Sequence, residues 1–227
     1  MLDDVIAVDG PAASGKSTIA EKLSERLGIP YINTGNMYRA ITWRALESGI
    51  DLANPTDELL APVLESLSLE YVKNSDGLYE ILLDGEFPGS RIRTPEVASF
   101  VSPVAAVSSV RSWLKDKQRD MASLGLIVME GRDIGTVIFP EAKHKFFLTA
   151  SPRVRAERRL AQAGETFGGA TVESVANEIA ERDRKDMSRE VAPLKQADDA
   201  VLVDSSYMTI DEVLDFIISK IKSDNEN

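Results

Sequence analysis

Eight consecutive residues, Gly10-Pro11-Ala12-Ala13-Ser14-Gly15-Lys16-Ser17, constrain this chain more than any other stretch of it. They fit the spacing G-x-x-x-x-G-K-[ST] and follow an apolar run, Val5-Ile6-Ala7-Val8. That order predicts a buried strand, a tight loop and a helix, the setting in which the pattern carries a mechanism. Glycines let successive backbone N–H groups converge on one concavity at a helix N-terminus, an anion nest. The expected cradle runs from Gly10 to Thr18. Lys16 is expected to reach the β- and γ-phosphates of a nucleoside triphosphate, and the Ser17 hydroxyl to ligate Mg²⁺.

A phosphate loop does not by itself separate kinases from switches. A GTPase would carry D-x-x-G and N-K-x-D, and neither occurs among the 227 residues. Cysteine is absent, which removes disulfides, thiolate metal sites and thiol catalysis. The single histidine, His144 between Lys143 and Lys145, reads as a solvated loop residue. A net charge of −11 argues against nucleic-acid or anionic-membrane partners. No apolar run approaches membrane-spanning length, and Asp3-Asp4 stands where a signal segment would be basic, so a cytoplasmic location is expected. Anionic nucleotides then need arginines concentrated against the global field, and Arg153, Arg155, Arg158 and Arg159 fall within seven residues.

Continuous apolar runs at 126–129, 145–148 and 200–203 predict further strands covered on both faces, hence a parallel sheet. Ile19, Ala20, Leu23 and Leu27 recur at helical spacing until Gly28 and Pro30. Thr209 and Glu212 form a capping box before a last amphipathic helix, with a frayed polar tail from Ser223. Asn54 before Pro55 predicts a helix N-cap, Pro95 opens another helix, and a third spans about 110–122. Between them, runs at 69–72 and 79–83 around Asn74-Ser75-Asp76-Gly77 predict a small inserted antiparallel sheet. Residues 151–187 read as charged helices broken by Gly164, Gly168 and Gly169, a pattern that suits a mobile flap or a plain surface loop.

Three further clusters carry chemistry. Glu130-Gly131-Arg132-Asp133 ends an apolar strand, the rim on which open α/β sheets bind ligands. Arg132 could grip a phosphate and Asp133 accept from an amino group, or the two could form a buried structural pair. Glu130 could hold the hydration shell of Mg²⁺. Arg182, Asp186 and Arg189, at i, i+4 and i+7, share one face of a helix, as a site or as a solvated salt-bridge face. Arg39 and the N-terminus of a helix starting at Asn36 would face the same way, as a further anion site.

With these residues in view, the chain resembles the bacterial cytidylate kinases, P-loop nucleoside monophosphate kinases. The match rests on Asp9-Gly10-Pro11, Thr34-Gly35 with Tyr38-Arg39, Ile92-Arg93-Thr94, Gly131 through Pro140, Arg182-Asp183 and Ala192-Pro193-Leu194. The resemblance implies a five-stranded parallel sheet with helices on both faces, formed by 1–33, 109–150 and 188–227. It also implies a monophosphate-binding insertion over 34–108, a lid over 151–187, and a monomer. By residue it implies Thr34, Tyr38, Arg39, Ser102, Arg111, Arg132 and Asp133 around CMP or dCMP, with Ser102, Arg111 and Asp133 at the cytosine edge. Arg182 and Asp186 fall at the ribose, Arg189 faces phosphate, and Arg155, Arg158 and Arg159 belong to the lid over ATP. Lys16, Arg132 and Arg189 are the implied catalytic residues, with Mg²⁺ beside ATP. Glu130 stands where many relatives have aspartate, and Thr34 where serine is frequent. The competing readings are a kinase of another small acceptor, such as shikimate or a nucleoside, and a nucleotide-sensing protein without transfer.

Overall fold

The computed structural model describes residues 5–75, 77–162, 166 and 168–225. At its centre lies β1 (Val5–Asp9), buried along its whole length. Val5 and Ala7 face one apolar cluster while Ile6 and Val8 face another, the period-two alternation of a strand covered on both sides. Around it the sheet runs β2 (Tyr31–Asn33), β5 (Ile127–Gly131), β1, β6 (His144–Thr149) and β7 (Val201–Asp204), with every neighbouring pair parallel. α1 (Lys16–Leu27) and α8 (Ile210–Asn225) close one face. On the other face pack α2 (Thr34–Glu47), α3 (Asp57–Ser66), α4 (Pro95–Ala106) and α5 (Ser108–Asp120).

The expected parallel sheet with helices on both faces is therefore present. β2 was not foreseen, because three residues are too few to show a period. The small antiparallel sheet pairs β3 (Leu69–Lys73) with β4 (Tyr79–Leu83), Tyr71 opposite Ile81. Asp76 of its expected turn lies outside the described residues, as does Gly164 between α6 (Pro152–Ala161) and α7 (Val172–Ser188).

Several local expectations need correction. The N-cap of α3 is Thr56, whose hydroxyl accepts from Leu59 N, and not Asn54. α2 begins at Thr34, two residues before Asn36, because the Asn33 side chain caps it by accepting from Asn36 N. The C-terminal segment expected to fray at Ser223 stays helical to Asn225. His144 is no loop residue. It opens β6 opposite Ile6, is buried, and has Nδ1 3.5 Å from an Asp224 carboxylate oxygen. The capping box of α8 forms as read, with Glu212 N donating to Thr209 Oγ1 and Thr209 N to Glu212 Oε2.

Candidate active site

The Gly10–Ser17 loop joins β1 to α1 at the carboxyl edge of the sheet. A Cβ on Gly10 would stand 2.1 Å from Leu148 O, so the chain can pass β6 here only as glycine. Gly15 caps α1 with φ 93°, and Ala13 adopts φ 56°, a left-handed conformation uncommon without glycine. Left-handed residues interleaved with right-handed ones are the means by which a loop can turn successive amides into an anion nest. Lys16 is buried and its ammonium donates to Pro11 O at 2.9 Å. Burial, with Arg132 nearby, pushes its pKa down to about 7.

Asp9, last residue of β1, accepts from Ile134 N at 2.9 Å and Gly135 N at 2.8 Å. It therefore fixes the turn after Arg132-Asp133 directly against the phosphate loop. Burial raises its carboxyl to about 7 despite those two amides. Beside it, the buried Glu130 accepts from Tyr31 OH at 2.9 Å, Asn33 Nδ2 donates to that same phenol, and Tyr71 OH donates to Asn33 O at 2.7 Å. Tyr71 belongs to β3, so the inserted sheet is tied through β2 to the end of β5.

The opposite wall is made of side chains. Thr34 Oγ1 donates to Glu130 O at 2.7 Å, and together with the Ile134 side chain it leaves Gly131 no room for a Cβ. Tyr38 and Arg39 follow on α2, Arg39 donating to Ile92 O at 3.3 Å. Arg111 on α5 meets Asp133 at 2.5 Å, both buried, with its guanidinium over the Tyr38 ring at 5.6 Å. Asp133 thus pairs across to α5 and not with its neighbour Arg132. Arg132 Nε instead donates to Asp186 Oδ2 at 3.2 Å, and Ser102 of α4 donates to Asp186 Oδ1 at 3.1 Å. Burial alone would raise the Asp186 carboxyl, but Arg132, Arg182 and Arg189 hold it below its ordinary value. Arg182 is half-buried beside them, and desolvation, reinforced by Arg132, lowers its pKa to about 9.

The 181–189 segment divides between two faces, one lining the cleft and one carrying solvated ion pairs. Asp186 is buried and, with half-buried Arg182, lines the cleft, while Glu181 pairs with exposed Arg184 and Lys185 outside. Arg189 departs from the expected helix face. It is the C-cap of α7, at φ −59° and ψ 139°, and turns back so that Nη1 lies 4.0 Å from Asp186 Oδ1.

One cleft of about 380 Å³ joins the two walls. Ser14 through Thr18 line it with Thr34, Tyr38, Arg39, Ser102, Arg111, Arg132, Asp133, Arg182, Asp186 and Arg189. Arg158 and Arg159 line it too, Arg158 donating to Ser14 O at 2.9 Å and Ser205 O at 2.9 Å. Arg155 does not. It is turned inward onto Ala12 O at 3.1 Å and Asp183 at 2.5 Å, because burial on the inner side of α6 leaves it only those partners. Gly10, Pro11 and Ala12 likewise shape the loop from behind and do not line the cleft. Sequence reasoning missed the far end, where Ser205, Met208, Thr209 and Ile210 follow β7. Their position beyond a strand's carboxyl end was the available signal.

The sequence matches the family model described as cytidylate kinase over residues 6–223. The chain belongs to the cytidylate kinase family. It is 44% identical over 225 residues to the cytidylate kinase of Clostridium botulinum (strain Loch Maree / Type A3), covering 99% of this chain and 100% of that one. It is 46% identical over 217 residues to that of Desulforamulus reducens, covering 96% of each. A bifunctional pantoate ligase/cytidylate kinase of Prochlorococcus marinus shares 41% identity over 216 residues, 95% of this chain and 41% of the longer protein. Among solved structures, an uncharacterized protein from Eubacterium ventriosum ATCC 27560 aligns over 96% of this chain and 98% of its own, with TM-score 0.53. At 14% identity that likeness concerns the fold alone. The cleft sets the Gly10–Ser17 loop opposite an arginine-rich wall.

Proposed function

We propose that this chain transfers the γ-phosphoryl group of ATP to CMP or dCMP, giving ADP and CDP or dCDP. The observation that carries this reading is the single cleft in which Lys16 faces the Arg132–Asp186–Arg182 cluster. An oxygen of the monophosphate attacks the γ-phosphorus, the bond to the β,γ-bridging oxygen breaks, and that electron pair leaves with ADP. The attacking phosphate has its second pKa at about 6 and is largely dianionic at neutral pH, so it needs little help from a general base. Catalysis then rests on alignment and on neutralising the oxygens in transit.

Lys16 serves the β- and γ-phosphates, while Arg132 and Arg189 approach from the acceptor side. Thr34, Tyr38 and Arg39 sit on α2 where the monophosphate would lie. Arg111 and Asp133 offer a donor and an acceptor to the cytosine edge, joined by Ser102, and Asp186 with Arg182 faces the ribose. Nucleotide binding would exchange bonds among these groups for bonds to the ligand, which keeps their net cost low.

Ser17 and Glu130 both line the cleft beside the cradle. Among the described residues no three acidic, histidine or cysteine side chains converge on one point. Such a sparse donor set suits Mg²⁺, which keeps most of its waters and binds through substrate phosphates. When bound there, Mg²⁺ supplies charge to the β- and γ-oxygens. Residues 34–108 would carry the acceptor and 151–187 cover the donor, in a monomeric cytoplasmic enzyme.

The test is an acceptor panel with labelled ATP, with and without Mg²⁺. Label should pass to CMP and dCMP and scarcely to AMP, GMP or shikimate. Preferential transfer to shikimate, or ATP binding with no transfer to any acceptor, would overturn the proposal.

A further inference from the structure

Ala12 is held from three directions by the two helices beyond β6. Its N–H donates to Asp183 Oδ1 at 3.1 Å, and its carbonyl accepts from Arg155 Nη1 at 3.1 Å. Arg155 Nη1 also meets Asp183 Oδ2 at 2.5 Å, closing a ring of three bonds around one peptide residue. The Ala12 methyl, 1% exposed, packs among Ala156 of α6 and Val175 and Ile179 of α7. Val175, Ile179 and Asp183 follow at i, i+4 and i+8, so one stripe of α7 presents both the apolar and the acidic part of the grip. The next residue, Ala13, is the one forced to φ 56°.

We propose that Arg155 and Asp183 are positioning residues for the triphosphate: they set the cradle by clamping Ala12 and do not touch ATP. This deepens the ATP-binding reading above and rests on it. The amide and carbonyl of Ala12 are backbone groups that no other residue of the loop satisfies, so the clamp sets the peptide planes on either side of Ala12 and with them the entry into Ala13, while Ser14 O is held separately by Arg158. A charged pair is suited to the task because it offers a strong donor and a strong acceptor, fixed relative to each other, to the two ends of one residue. Ordinary packing would restrain the methyl but not the peptide orientation. The clamp also joins the base of each lid helix to the cradle, so lid and donor site shift together.

A direct contact of Arg155 with ATP is the competing arrangement, since its Nε is buried without a hydrogen-bond partner among the described residues. The experiment is a double-mutant cycle with Arg155→Met, Asp183→Leu and the pair together, read in two ways. The first is kinetics. Each single variant should raise the KM for ATP about tenfold or more, leave the KM for CMP within about twofold, and the double variant should be no worse than the singles. The second is exchange of the Ala12 amide with deuterium, slow in the parent and faster in Asp183→Leu, which reads the clamp without any turnover. Arg155→Lys, which keeps the charge, should recover part of the ATP affinity, and the apolar pair guards against loss of folding through a lone buried charge.

Additive losses with Arg155→Met far below Asp183→Leu in kcat would assign Arg155 to ATP itself and overturn the proposal. So would lowered thermal stability with ATP KM and Ala12 exchange unchanged. If the parent fails to phosphorylate CMP, the functional reading fails instead, while the exchange result still stands or falls alone.

Discussion

The two walls of this cleft, proposed to hold the phosphoryl donor and the acceptor, are built by opposite means. The donor wall is eight contiguous residues, and its work is done by backbone amides, two glycines with no room or no ordinary φ, and one lysine. The acceptor wall draws on α2, α4, α5, α7 and the turn after β5, and its work is done by side chains that already bond one another. A backbone cradle suits a polyphosphate, whose charge is the same whatever the base. Crossed carboxylates and guanidiniums suit a small acceptor that must be told from its relatives, because a wrong ligand leaves buried polar groups unpaired.

That contrast can be broken in order of expected effect. Lys16→Ala should lower kcat by about two orders of magnitude or more while CMP still binds, measured under saturating nucleotides. Near-normal turnover would mean that the cradle amides suffice. Asp186→Ala leaves Arg132, Arg182 and Arg189 facing one another, so the KM for CMP should rise about 10- to 100-fold, well beyond any change for ATP. Equal loss for both nucleotides would erase the division between the walls.

A finer test uses protons. The Lys16 ammonium, lowered to about 7 by burial and Arg132, is largely neutral at pH 8, and a polyphosphate favours its charged form. ATP binding should therefore take up a proton at pH 8, and ATP affinity should weaken as pH rises from neutrality. Calorimetry in buffers of different ionisation enthalpy reads this directly, and proton release would contradict it. Smallest is Tyr71→Phe, which removes the phenol that donates to Asn33 O. It should cost about 1 kcal/mol of stability by chemical denaturation and move the KM for CMP by less than about threefold.

The same contrast governs what could be read from sequence. A loop made by backbone needs only its own spacing, so the turn before Lys16 and Ser17 was legible as a strand-to-helix junction before any fold was known. Arg132 and Asp133 were assignable as a pair, but their partners were not. Asp133 turned out to face Arg111, and Arg132 to face Asp186, 54 positions away. The strands at β5 and β6 were visible because burial on both faces leaves little polar alternation. The run at 200–203 is also a strand, but the expectation that it is covered on both faces needs correction, because β7 lies at the sheet edge and leaves Leu202 exposed. β2 escaped notice, and His144 was misjudged, because neither a three-residue strand nor a strand's first residue carries a periodic signal.

By itself, the sequence determined the parallel sheet, the tight loop between β1 and α1 and the absence of thiol chemistry, all consequences of local pattern and residue type. Tertiary structure alone decided that Arg155 turns inward to Ala12 while Arg158 and Arg159 line the cleft, though all three lie within five residues. It also decided that Asp183 grips the cradle across 171 positions of sequence. The physical reason is that charged side chains take their roles from the partners burial leaves them, and those partners are chosen by packing, not by spacing along the chain.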